Sequence, residues 1–148
     1  MKYLAILVLA TIANIATANI AIPSEKLLDA IKYVESKNNS KAVGDKGKAF
    51  GSYQIHKVYI DDVNRIYKTN YKHEDAFNEK LAREIAKKYL THYGKEYYKK
   101  TGKEPTNEIF ARIHNGGPSG WKNGPGEKAK NRYNNTSIYW TKVAKALK

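Results

Sequence analysis

Apolar residues recur at helical spacing soon after residue 24. Leu27, Leu28, Ile31 and Val34 mark a first helix, with Ser24 placed to cap it and Pro23 just outside. Leu28, Ile31 and Glu35 stand at i, i+3 and i+7, so Glu35 lies on or beside the apolar stripe near the helix end. The polar run from Ser36 to Ser40 stops that helix. From Ala42 to Ile55 the helical period is absent. Asp45-Lys46-Gly47 and Phe50-Gly51-Ser52 predict turns, and the extended pieces around them predict a small hairpin. Tyr59, Val63 and Ile66 predict a second helix. Phe77, Leu81, Ile85 and Tyr89 predict a third, widened by Ala82, Ala86, Leu90 and Tyr93 and running on to Lys100, with Gly102 as its stop. A fourth opens at Pro105-Thr106, carries Ile109, Phe110 and Ile113, and ends abruptly at Asn115-Gly116-Gly117-Pro118. Ser119 to Asn135 reads as a long loop rich in Gly, Pro, Lys and Asn. Ile138, Tyr139, Val143 and Leu147 form a last short helix. The pattern is α+β and predominantly helical, with a small β-hairpin and no internal repeat.

The N-terminus obeys a different logic. MKYLAILVLATIANIATA has a positive Lys2, a short apolar run and a small-x-small ending at Ala16-Thr17-Ala18. Residues 1–18 therefore read as a signal peptide, and 19–148 as a single catalytic domain beginning at Asn19. The run is too short for the roughly 20 apolar residues of a membrane span, so no stable membrane insertion is expected after cleavage. A secreted or periplasmic location follows from this reading. The 148-residue chain is long enough for a real core. Its formal charge of +13 falls only to +12 when Lys2 is removed. Such a cation suits polyanionic partners: a cell-wall polymer, an anionic membrane surface or nucleic acid. There is no cysteine, which excludes disulfides, thiol chemistry and cysteine-held zinc.

Candidate chemistry concentrates in ESKNNSKAVGDKGKAFGSYQI, residues 35–55, where Glu35 and Asp45 stand ten positions apart. A carboxyl on an apolar stripe is desolvated, which favours the neutral acid needed to protonate a leaving group. An ordinary acid at a helix edge is the alternative. Asp45 sits in a polar turn where it stays ionised, and two carboxyls in unlike environments are the pattern of glycoside cleavage. A turn residue bonding its own backbone explains Asp45 equally. Ser52, Tyr53 and Gln54 offer a hydroxyl, an aromatic face and an amide to a sugar; otherwise Tyr53 and Ile55 face the core of a hairpin. His114, Asn115 and Gly116 form a second candidate segment, where glycine lets backbone approach a ligand, although a helix cap and turn would also explain it. Trp121 and Trp140 suit sugar or core, Trp140 better the core. The four histidines lack the HExxH spacing, Gly-x-Ser-x-Gly is absent, and no phosphate-binding loop or nucleic-acid module is present.

These segments resemble the lysozyme-like superfamily. The likeness to soluble lytic transglycosylases is loose. It is closer to invertebrate-type, destabilase-like lysozymes, carried by Glu35, Asp45, Gly51-Ser52-Tyr53-Gln54-Ile55 and the run from Ala111 to Gly120, ARIHNGGPSG. It spans roughly Leu27 to Trp121. The animal family is cysteine-rich and spaces its acids slightly further apart, so this chain looks like a cysteine-free bacterial or phage-like form. The resemblance implies a lysozyme fold and a peptidoglycan muramidase, with Glu35 as general acid and Asp45 as nucleophile or ion stabiliser. Tyr53, Gln54, His114 and Asn115 would hold the glycan. No metal or other cofactor is implied, the partner is the peptidoglycan glycan strand rather than nucleic acid, and a monomer is expected. Some family members also cleave isopeptide bonds with a Ser and a His, for which Ser119 and His114 are the local pair. A lytic transglycosylase of the same fold and a non-enzymatic cationic wall-binding or antimicrobial protein are the alternatives.

Overall fold

Helix α1 (Glu25–Ser36) begins where Ser24 accepts a hydrogen bond from the Leu27 amide and ends where Lys37 turns left-handed. Its Leu27, Leu28, Ala30 and Ile31 are buried, as the spacing requires. The computed structural model describes residues 22–148, so the signal peptide read at residues 1–18 lies outside the described residues. After α1 come three two-residue strands, β1 (Val43–Gly44), β2 (Ala49–Phe50) and β3 (Ile55–His56), and then α2 (Lys57–Tyr67). The long α3 (Glu79–Thr101), α4 (Asn107–Gly116) and α5 (Glu127–Ala146) complete the chain. No helix among the described residues is long and apolar enough to cross a membrane.

The β element is larger than the hairpin expected from sequence. The strands form an antiparallel sheet in the order β1-β2-β3, with Val43 opposite Phe50 and Ala49 opposite His56. A 3-10 turn, Asp45–Gly47, joins the first pair. Phe77 is not in α3 but in a 3-10 turn, His73–Phe77, that lies over the sheet. There the Phe50 ring stacks between His73 at 3.9 Å and Phe77 at 4.7 Å. Asn78 then caps α3 by accepting from the Leu81 amide.

Helix α4 sits at the centre. Phe110, Ala111, Arg112 and Ile113 are consecutive and all buried, so this helix has no solvent face along that turn. It packs chiefly against α5 and also on α3. Gly94 of α3 makes room for Phe110, whose Cε1 would lie 2.6 Å from any Cβ added there.

Helix α5 departs most from expectation. The sequence predicts a loop from Ser119 to Asn135 and a short helix after it, yet α5 starts at Glu127. Its first turns carry no apolar stripe, because what they pack against is polar. Arg112 is only 4% exposed. It binds Glu108 at 2.8 Å, donates to the Tyr133 carbonyl and the Thr136 hydroxyl at 3.2 Å each, and lies over the Tyr133 ring. Thr136 in turn donates to the Gly120 carbonyl at 2.7 Å. A buried guanidinium thus takes the place of the apolar contacts that would have made the helix visible. Truncating it should leave a cavity lined by stranded acceptors. Arg112→Ala is expected to lose about 2–5 kcal/mol of unfolding free energy in a urea titration, with most of the helical signal kept in water.

Candidate active site

The end of α1 and the sheet face each other across a small cleft of about 210 Å³, lined by Glu35, Asp45, Ala49, Gln54, His56, Tyr59, His114 and Asn115. Ser36 fastens the two walls. Its hydroxyl donates to the Ser52 carbonyl at 2.9 Å and accepts from the Asn39 amide at 3.0 Å. The residue beside Glu35 therefore holds the end of its helix against the turn that leads into β3. Glu35 is mostly buried, its side chain 18% exposed, whereas Asp45 is open at 57%. The two acids expected from sequence do share one cleft, and they do so in unlike surroundings.

Glu35 belongs to a polar node under the cleft. His114 Nε2 lies 3.4 Å from Glu35 Oε1 and 3.2 Å from the Tyr53 carbonyl, while Nδ1 lies 3.3 Å from the Tyr59 hydroxyl. A carbonyl only accepts, so a neutral His114 carries its proton on Nε2 and takes one from Tyr59 at Nδ1. The imidazole N–H then points at both the carbonyl and the carboxylate. Tyr59 is held from below by Tyr89, stacked at 3.6 Å. Burial raises the Tyr59 phenol well above its ordinary pKa, with Tyr89 and Glu35 adding to the shift, so it remains a donor. On the other side the buried Tyr139 hydroxyl lies beside Glu35. Burial first and the Glu35 charge second raise its pKa well above that of a free phenol.

Asp45 faces His56, with Oδ2 3.7 Å from Nε2. The loop that carries it is conformationally costly. Asp45 and Lys46 both have positive φ, at 43° and 54°, and Gln54 across the sheet has φ 50°. Non-glycine residues rarely adopt this region, and such strain gathers where geometry serves a function. Gln54 is fixed by donating to the Gly51 carbonyl at 2.9 Å, which holds its amide at the cleft wall.

Two expectations need correction. Ser52 and Tyr53 are fully buried and offer no surface to a sugar. The cause is Gly51, whose φ of 72° tucks the chain under the Ala76 carbonyl; a Cβ there would sit 1.7 Å from that oxygen. The Tyr53 hydroxyl accepts from Arg83, itself paired with Glu25 and Asp29, and burial pushes its pKa up to about 12. Tyr53 is thus a core residue. Gly116 is also not at the acid pair. It faces α5, where a Cβ would meet Thr136 Cγ2 at 2.5 Å, so its small size serves helix packing. Trp121 packs edge-on against Tyr97 and Trp140 against the core, both outside the cleft lining. His56, Tyr59 and Tyr139 were not singled out from sequence. The alternation of buried Tyr53 and Ile55 with half-buried Gln54 and His56 could have flagged His56. No sequence signal pointed to Tyr139.

The sequence matches the Destabilase family over residues 24–144. The chain belongs to that family. Membership places it in the lysozyme-like glycosidase superfamily and implies muramidase or isopeptidase activity of the lysozyme-like kind. No curated protein matches the chain. Among the described residues, no group of three or more His, Cys, Asp or Glu side chains is arranged to hold a metal ion. Neither His114 nitrogen bonds a serine hydroxyl; both serve Tyr59, Tyr53 and Glu35. Removing the His114 ring would strand the Tyr53 carbonyl and free Glu35. His114→Ala is expected to lower stability by about 1–3 kcal/mol in chemical denaturation, with Tyr59 fluorescence reporting a newly hydrated phenol.

Proposed function

We propose that this Destabilase-family protein is an exported muramidase that cleaves the β-1,4 bond between N-acetylmuramic acid and N-acetylglucosamine in peptidoglycan. The observation that carries the reading is a single cleft holding one mostly buried and one exposed carboxyl, Glu35 and Asp45. In this reading the Glu35 carboxyl gives its proton to the glycosidic oxygen as the bond to the anomeric carbon breaks. Asp45, ionised in its open loop, stabilises the positive charge that develops on the sugar. Water then adds its hydroxyl to the anomeric carbon and returns a proton to Glu35. His114 holds Glu35 in place through Nε2–H. Gln54, Asn115 and His56 supply hydrogen bonds to sugar hydroxyls and acetamido groups at the cleft walls.

The net positive charge supports an anionic wall as target, because it raises the local concentration of enzyme on that polymer. The leader-like residues 1–18 support export and a secreted or periplasmic site of action, with Asn19 as the new N-terminus. The protein acts as a monomer and without a cofactor. The glycosidase reading is preferred over isopeptide cleavage because Ser119 is not in the cleft lining and His114 is committed to Glu35, Tyr59 and the Tyr53 carbonyl rather than to that serine.

The test is digestion of purified peptidoglycan with mass spectrometry of the fragments. Wild type is expected to release muropeptides with reducing ends. Glu35→Gln should slow release by about a thousandfold, and Asp45→Asn by about a hundredfold. Anhydro-ended products that survive Asp45→Asn would assign the cleft to a lytic transglycosylase with one working acid. A folded protein that releases no fragments, yet binds walls equally well as Glu35→Gln, would be a binder instead.

A further inference from the structure

A second hollow adjoins the acid cleft and is much larger, about 710 Å³ against about 210 Å³. Asn115 lines both, so the two adjoin at that residue. The far wall is the first half of α5, which presents two rows one helical turn apart: Glu127, Asn131 and Asn135 in one, Lys128, Arg132 and Thr136 in the other. Its size lies in the range of about 300–1,000 Å³ usual for small-molecule sites, which the acid cleft does not reach.

The charge of this hollow is unmatched. Arg112, Arg83 and Arg65 all meet carboxylates within the fold. Arg132 meets none among the described residues, and its buried Nε has no hydrogen-bond partner. Gly116 is what draws it in: the Arg132 Cγ lies 3.5 Å from where a Cβ at Gly116 would be, so the arginine stem lies flat on the end of α4. A guanidinium fixed by its stem, with its donors unspent, suits a carboxylate. Lys128 adds a second cation, Glu127 is the single acid of the lining, and Asn131 and Asn135 add amide donors.

Resting on the glycan reading of the acid cleft, we infer that this hollow receives the carboxylate-bearing stem peptide of a muramyl residue whose sugar lies against Glu35, with Arg132 as the main anchor. In peptidoglycan the peptide hangs from the lactyl ether of one sugar in two, and it carries the acid groups of that polymer. A site beside the scissile bond that reads those groups would distinguish peptidoglycan from an uncharged glycan such as chitin.

The inference is tested by nuclear magnetic resonance titration of the protein with N-acetylmuramyl-L-alanyl-D-glutamate, with the same compound bearing amidated carboxyls, and with chitotriose. The free acid is expected to bind about tenfold tighter than its amide and to shift backbone signals of residues 128–136. Arg132→Gln should erase that preference. Asn131→Asp, on an exposed position, should invert it and serves if Arg132→Gln does not fold. Equal affinity for acid and amide, or shifts confined elsewhere, overturns the inference. Chitotriose reports the acid cleft separately through Ala49, Gln54 and His56. If it shifts those signals while the acid shows no advantage, the glycan reading stands and the stem-peptide inference fails. If it shifts nothing, both fail.

Discussion

A permanently charged guanidinium inside α4 constrains much of this molecule. Arg112 cannot lose its proton, so every donor of its fork has to be met where it stands. Glu108 meets part of it from the same helix. The rest is met from α5, through the Tyr133 carbonyl, the Tyr133 ring and Thr136. That demand fixes the axial position of α5 against α4, because only one register brings Thr136 to both Arg112 and the Gly120 carbonyl. Once α5 is so placed, Tyr139 falls beside Glu35 one turn further on, and Arg132 falls at Gly116 one turn back. One buried charge therefore positions a neighbour of the acid cleft and a wall of the hollow beside it.

The acid itself is fixed by a different set of bonds. Ser36 ties the end of α1 to the Ser52 carbonyl, and His114 ties Glu35 to the Tyr53 carbonyl. Both bonds use the backbone of the 51–54 turn, which Gly51 presses into the core. Hence the buried segment once expected to touch a sugar supplies carbonyls that set the geometry of the side chains around it. Asp45 is treated oppositely. It stands on a left-handed loop with little burial and one long contact to His56. A desolvated acid on a rigid helix end and a solvated one on a strained loop are the two environments that divide labour between a proton donor and a charge stabiliser.

The sheet is small, yet it matters because its stability is borrowed. Two-residue strands carry too few ladder bonds to persist alone. Phe50 is sandwiched by His73 and Phe77, and His73 Nε2 lies 2.7 Å from the Ile55 carbonyl. The segment between α2 and α3 thereby clamps the sheet that presents Asp45 and Gln54.

Much was legible in the chain. The four helices with an apolar stripe, the Ser24 cap, the helix opening at Pro105-Thr106, the Gly102 stop, the helix-end acid and the turn with a second acid all follow from local periodicity and backbone chemistry, which neighbours in sequence decide. The family resemblance read from residues 35–55 and 111–120 is matched by the family assignment over residues 24–144. What sequence could not disclose depends on partners distant along the chain. The first half of α5 has no stripe because it packs on a buried arginine and a glycine. Tyr53 went to the core because a tight turn under Ala76 left it no other side. His56 and Tyr59 joined the cleft lining, and Tyr139 came to lie beside Glu35, only through the crossing of sheet, α2 and α5. Local pattern determined which elements form; the satisfaction of buried polar groups, which requires residues far apart in sequence, decided what those elements enclose.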